Sequence, residues 1–389
     1  MSLLRSVRTF LTPSGSQAQL GGDQGSLGFR KAKIETDLFP ATNPEVDGED
    51  CLHDCNDCTV HYPAKFKIDE HDTLYGHVKG WETHLIVGTG KTDWVRDVTD
   101  EKASVMQAVG RVGVDRRNGK VMLSASNMPV SSEGCDGVED GVEEGADCLL
   151  LPAWTLVENV KPSQVDVLMK EVVETSVTNS TPLGGKTNVV VGNGQANGRA
   201  ATSETTREPQ QQQQQQPQEG GAGPQNTKTL TSTPLPPSIS NTFKTRPIPH
   251  SYLILMCSHK TRDARCGQSA PLLRKEFERI LRPMGLYRDL HDDRPGGVGL
   301  YFINHVGGHK YSANVMIYRR EGSTRTKDGR EVDGHEAQHG EAVQLIWLAR
   351  VTPEDCENIV RFTILQGKLV KPQRQLRGGF DRQRGLLSW

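Results

Sequence analysis

No apolar run in this chain approaches the roughly 20 residues that a membrane-spanning helix requires, so no transmembrane segment is expected. Aromatic side chains are scarce, at 5% of 389 residues. No nucleic-acid-binding motif accompanies the basic residues, which argues against a nucleic-acid partner. Hydrophobic residues reach only 34%, beside 40 glycines, which is too little apolar surface for the whole length to pack. The eight cysteines are too few in so long a chain for the disulfide framework of a secreted domain. Their clustering suits metal or redox chemistry instead. The N-terminus has no secretory apolar core, and no acidic residue precedes Asp23.

What stands at the N-terminus is Arg5 and Arg8 among serines and threonines, with Leu3, Leu4, Val7 and Leu11 at helical spacing up to Pro13. That composition predicts a mitochondrial targeting arm over residues 1–35, with a cytoplasmic location as the alternative. Residues 36–170 predict a smaller α/β domain, with strands near 84–87, 120–124 and 149–157 and helices near 99–110 and 162–173. Residues 171–242 turn to Thr, Ser, Asn, Gly, Pro and Gln, including an unbroken glutamine run over 210–216. Such a segment cannot bury enough apolar surface to offset its chain entropy, so a long disordered linker is expected.

Residues 243–389 form the best-defined unit. A strand is expected at 252–256, then a helix at 270–281 with Leu273, Phe277, Ile280 and Leu281 on one face. Strands follow at 298–304, 313–318 and 343–349. A last helix opens with Thr352 as N-cap and Pro353 in its first position and stops at Gly367. The order β-α-β-β-β-α predicts a thioredoxin-like α/β domain with a flexible C-terminal tail. The formal net charge of −2 hides an asymmetry: this unit carries 25 basic and 16 acidic side chains, the preceding 242 residues 21 and 32.

The chemistry concentrates at two strand ends. Cys257 and Cys266 lie in CSHKTRDARC after the first expected strand of this unit, and His305 and His309 lie in HVGGH after the second. In open α/β sheets, sites assemble where neighbouring strands end. Isolated cysteines are usually core residues, but a loop holding Lys260, Arg262, Asp263 and Arg265 does not read as core. Its cations would favour thiolates. Gly307 and Gly308 argue against a helical histidine pair and for a tight loop. Two thiolates and two neutral imidazoles suit zinc or a Rieske-like [2Fe–2S] cluster. The eight residues between Cys257 and Cys266 exceed the two to four of a usual zinc knuckle, which favours the cluster. With two neutral ligands an oxidised cluster carries no net charge. That raises its potential to about −150 to +300 mV, against about −400 mV for plant-type ferredoxins.

The segments ILMCSHKTRDARCG, INHVGGHKYSANVMIY and LIWLARVTPEDCENIV with LQGKLV resemble the sucrase/ferredoxin-like family, over residues 245 to 372. The resemblance implies a thioredoxin-like [2Fe–2S] ferredoxin fold, with Cys257 and Cys266 on one iron and His305 and His309 on the other. It further implies single-electron transfer, proton-coupled through exposed imidazoles, to a redox partner protein whose identity the sequence does not give. The chain would then be an electron-transfer protein rather than a substrate-turnover enzyme. Leu387, Ser388 and Trp389 resemble the C-terminal tripeptide with which some clients bind iron–sulfur targeting machinery.

Cys51, Cys55 and Cys58 in CLHDCNDC leave three readings open: a second metal site, a structural feature of the first domain, or a second functional class, a thiol–disulfide oxidoreductase using Cys55 and Cys58. The neighbouring Asp54 and Asp57 would raise the thiol pKa values and count against a reactive thiolate. A zinc-stabilised binding module is a third class. Cys135 and Cys148 show no partner pattern, and Cys356 in the last helix is expected to pack. Two further motifs fail. His335, Glu336 and His339 spell HExxH, but glycines flank it where a zinc-protease helix should continue. The stretch from Gly88 to Thr92 mimics the end of a phosphate-binding loop, yet Leu85 stands where the first glycine belongs.

Overall fold

The computed structural model describes residues 28–130, 143–184, 242–330 and 340–389. Strand β1 (Arg30–Lys31) opens the described chain. A first unit contains β2 (Thr83–Gly88), β3 (Asp115–Arg116), β4 (Gly119–Ser126), β5 (Ala146–Leu151) and β6 (Thr155–Val160). A second contains β7 (Thr245–Pro247), β8 (Tyr252–Cys257), β9 (Tyr287–Arg288), β10 (Val298–Ile303), β11 (Val315–Arg320) and β12 (Ala342–Leu348). Strands β13 (Leu376–Asp381) and β14 (Leu386–Leu387) close the chain. All join one mixed sheet in the order β1-β14-β13-β12-β11-β8-β10-β4-β2-β5-β6-β7, with β3 added on β4 and β9 on β10.

The two units repeat one plan. In each, a first strand is followed by a helix (Val105–Val112 or Ala264–Leu281) and a second strand parallel to the first. Two antiparallel strands and a closing helical segment follow. The halves meet where β4 and β10 run antiparallel, with Ser126 opposite Ile303. Two asparagines just beyond these strands fasten the junction reciprocally. Asn127 Oδ1 accepts from Phe302 N at 2.7 Å, and Asn304 Oδ1 accepts from Ala125 N at 2.9 Å. Both amides are buried, where unpaired backbone groups would be costly.

Strand alternation splits the core into two faces. Ile254 and Met256 of β8 pack with Leu273 and Phe277 of the long helix, while Leu253 and Leu255 pack with Trp347 and Phe380. Each such apolar side chain contributes on the order of 1.5–3 kcal/mol through burial. The first unit has its own cluster, which includes Leu85, Val109 and Leu168.

Several boundaries differ from those expected. Residues 36–80, assigned to the first domain, pack on the second unit instead: Leu38, Phe39 and Tyr75 enter its core, and Tyr62 Oη donates to Val351 O at 2.8 Å. Of the expected targeting arm, residues 1–27 lie outside the described residues, and Arg30–Lys31 pairs with Leu386–Leu387 as a strand. Of the expected linker, residues 185–241 lie outside the described residues, whereas 171–184 fold back. There Asn179 is buried and its Nδ2 donates to Trp81 O at 2.9 Å. The C-terminal tail is ordered in β13 and β14. Its last residue, Trp389, stacks on Trp81 with ring centroids 4.8 Å apart.

Candidate metal centre

Strand pairing brings the two chemical segments together. Cys257 is the last residue of β8 and lies opposite Ile303, the last residue of β10. His305 follows two positions later and so comes level with the thiol. Asp263 caps the long helix, its carboxylate accepting from Arg265 N at 2.9 Å. That cap starts the helix at Ala264, six residues before the expected start, and puts Cys266 in its first turn. A thiolate there meets the positive end of the helix dipole.

The sulfurs of Cys257 and Cys266 and a ring nitrogen of His305 all lie within 4.8 Å of one another, and Cys257 Sγ is 3.8 Å from His305 Nδ1. Both cysteines are buried. His309 stands beside this group rather than within it. Its ring centroid is 5.3 Å from that of His305, its Nε2 is 4.0 Å from Asp263, and half of its side chain is exposed. Gly307 and Gly308 both have positive φ (86° and 68°), which turns the backbone between the two rings. A Cβ at Gly308 would come within 2.7 Å of the Arg377 guanidinium.

Arg377 and His259 fix this loop. Buried Arg377 donates to Gly307 O at 3.0 Å and to Asn314 Oδ1 at 2.7 Å, and lies 4.2 Å over the Trp347 ring. Burial lowers its pKa to about 10. His259 accepts from His305 N through Nδ1 at 3.3 Å, and its Nε2 meets Trp94 O at 3.0 Å. The strand-end turn that mimicked a phosphate-binding loop therefore packs against the site. Asp93 accepts from Thr261 Oγ1 at 2.8 Å, and Thr92 O accepts from Ser258 Oγ at 2.7 Å. Sequence reasoning missed Arg377 and Asn127. The only available signal was that an asparagine follows both β4 and β10.

The two thiols share a proton unequally. A hydrogen bond from Cys257, with help from His305 and Ser312, holds Cys266 down to about 5 against the opposing effect of burial. Cys257 is pushed up, by that same bond and by burial. Within the pair, Cys266 is the sulfur whose thiolate form is favoured. Its main stabilisers are these neighbours; of the loop cations that the sequence suggested, Arg265 is paired with Asp263 at 3.0 Å and adds an electrostatic attraction to Cys266. The donor set fits the group the sequence suggested: soft sulfur and imidazole select zinc or iron–sulfur centres over magnesium or calcium.

The N-terminal cysteines Cys55 and Cys58 lie against the same helix further along, beside Glu276. Cys55 and Cys58 come within 4.8 Å of the Glu276 carboxylate. Burial raises the Cys58 pKa strongly, and Cys55, Glu276 and Glu354 add to the effect. The acids concerned are not the neighbours the sequence indicated; Asp54 is paired with Lys371 at 2.6 Å. Cys51, Cys148 and Cys356 are buried free thiols. Residues 335–339, with the HExxH stretch, and Cys135 lie outside the described residues.

Residues 74–378 match the sequence profile described as Sucrase/ferredoxin-like, and the chain belongs to that family. Among similar proteins, the actin patches distal protein 1 of Saccharomyces cerevisiae is 27% identical over 312 residues, covering 78% of this chain and 75% of the relative. The altered inheritance of mitochondria protein 32 of Clavispora lusitaniae is 36% identical over 129 residues, and that of Meyerozyma guilliermondii 32% over 136. These two alignments cover 33% and 35% of this chain and 36% and 35% of the relatives. No solved structure matches.

Proposed function

We propose that this protein holds a [2Fe–2S] cluster, with Cys257 and Cys266 on one iron and His305 and His309 on the other, and passes single electrons to a protein partner. The convergence of two buried sulfurs and an imidazole at the ends of paired strands β8 and β10 carries this reading. When bound, such a cluster supplies one-electron transfer. The chain's own part is to preorganise the donors. The surroundings favour the thiolate of Cys266 at the helix N-terminus, and the backbone N–H groups of His259 and Val306 oppose the rise at Cys257. Arg377 and His259 hold the histidine loop. Half-exposed His309 gives solvent protons and a partner access to one edge of the site. We read residues 243–389, completed by residues 28–80, as thioredoxin-like.

We place the protein in mitochondria, on the composition of the N-terminal arm. The names of the relatives from Clavispora and Meyerozyma refer to mitochondria, and that of the Saccharomyces relative to actin patches. The mode of C-terminal recognition read from the tripeptide is not proposed, because Ser388 is buried and Trp389 is engaged with Trp81.

The histidine assignment is tested by His305→Cys under anaerobic handling. A thiolate in place of a neutral ligand should retain a cluster and lower its reduction potential, by on the order of 100 mV or more toward the plant-type range. An unchanged potential would remove His305 from the ligand set.

A further inference from the structure

We propose a second metal site, for one zinc ion, formed by Cys55, Cys58 and Glu276 and distinct from the cluster site. Glu276 lies ten residues along the helix from Cys266, which is about 15 Å at 1.5 Å per residue. One helix would therefore carry a redox centre at its N-terminal end and a metal clip about three turns further along.

Three observations carry the inference. The first is convergence: both sulfurs and a Glu276 oxygen lie within 4.8 Å of one another, although Glu276 is more than 200 residues from the cysteines in sequence. The second is the carboxylate itself, which has 0% exposure in the middle of a helix. Carboxylates are almost never fully buried unless paired. Arg279 donates to its Oε1 at 2.7 Å and Thr59 to its Oε2 at 3.2 Å, which fixes it toward the cysteines. The third is the cysteine segment, whose only regular element is the short turn Glu49–Leu52. The protein anchors it all the same, with Cys55 N donating to Glu354 O at 3.0 Å and Cys58 Sγ to Pro353 O at 3.5 Å.

Charge and donor type select the ion. On binding, two thiolates and one carboxylate supply three negative charges. Arg279, whose Nη2 lies 3.6 Å from Cys55 Sγ, offsets one of them. A divalent cation offsets the other two, and the three ligands, the ion and Arg279 together carry no net charge. Two thiolates exclude magnesium and calcium, and a two-residue spacing between cysteines is that of a zinc knuckle. Cys55 and Cys58 are only half-buried, which leaves a fourth position to water. The site would pin residues 47–59 to the long helix and to the start of the last helix.

The test uses the full-length protein, purified anaerobically, with zinc and iron per chain measured in the same sample. The proposal expects about one zinc per chain in addition to iron. Cys55→Ser with Cys58→Ser should remove that zinc and leave iron unchanged. Glu276→Gln should weaken zinc binding at least roughly tenfold in competition with a chromophoric chelator. Cys58→His, which keeps a zinc donor, should retain the ion where Cys58→Ser loses it, and this separates ligation from a folding defect. Zinc-free wild-type protein after incubation with stoichiometric zinc would overturn the proposal. So would zinc that is lost on Cys257→Ala but kept in the Cys55/Cys58 variant. A Cys55–Cys58 disulfide in zinc-free protein, found by mass spectrometry, would also overturn it and assign the pair to thiol redox chemistry. Iron content reads the cluster separately, so the two readings can fail independently.

Discussion

Cys257 and Cys266 differ in setting although both are buried: one ends a strand, and the other lies in the first turn of a helix, where the thiolate form is favoured. Either change, Cys257→Ala or Cys266→Ala, should abolish bound iron, because two thiolates on one iron leave no redundancy. Full iron content in either variant would contradict the ligand assignment. His84 makes a separate prediction, on the sheet face that the two units share. It is fully buried between Tyr318 Oη at 2.9 Å and Ser124 Oγ at 2.8 Å, and burial lowers its pKa to about 3. The unfolded chain therefore binds a proton near pH 6.5 that the folded chain refuses down to about pH 3. Its stabilising contribution is complete above pH 6.5 and falls as the pH drops, by up to roughly tenfold in the folding equilibrium per unit. His84→Gln should flatten the urea midpoint between pH 6 and 4; an unchanged slope would contradict the account. At this scale the sequence revealed the cysteines and histidines, since those residue types stand out at strand ends. Glu276, Arg377, Asn127 and Asn304 were not legible. Their side chains act through neighbours that only the folded chain supplies.

Among elements, the strands of both units were legible from their apolar runs, and β8, β10 and β12 lie close to the expected positions. The run expected at 149–157 divides into β5 and β6, because Pro152, Ala153 and Trp154 form a turn there. The long helix begins early because Asp263 caps it, a signal masked by Gly267 and by Pro271 inside the helix. Thr352 does cap the last helical segment, through a reciprocal pair with Asp355. The C-terminal strands were missed, since Leu376–Asp381 includes Gly378 and Gly379 and its pairing partner β12 lies about thirty residues earlier. Trp389→Ala removes the stack on Trp81 and should destabilise the fold by about 0.5–1.5 kcal/mol beyond lost area. Thermal denaturation checks this, and an unchanged midpoint would show that the terminus is free in solution.

For the whole molecule, composition marked residues 171–242 as a linker, of which 171–184 fold onto the first unit and 185–241 lie outside the described residues, but it did not show which unit residues 36–80 serve. That segment completes the second unit from a distance, with Leu38 and Phe39 fully buried in its core and Ala41 bridged to Leu369. Periodicity carries no information about such long-range pairing. A fragment of residues 243–389 alone should therefore lack cooperative unfolding, and adding residues 28–82 in trans should restore it. A cooperative transition in the isolated fragment would contradict this arrangement. The duplicated plan also shows where the Cys/His group of the second unit has its counterpart positions in the first. Gly88 and Met128 take the places in the first unit that Cys257 and His305 hold in the second, at corresponding strand ends. The first unit thus contributes a wall, through Thr92, Asp93 and Trp94, rather than ligands.

The claim that the Cys/His group holds a [2Fe–2S] cluster is tested most directly by iron and acid-labile sulfide analysis of anaerobically purified protein. Low-temperature EPR of the dithionite-reduced sample completes the measurement. The account predicts about two irons and two sulfides per chain, with the low average g value of imidazole-ligated clusters. Zinc at Cys257 and Cys266, with no EPR signal after iron–sulfide reconstitution, would contradict it and leave a zinc-stabilised binding module in its place.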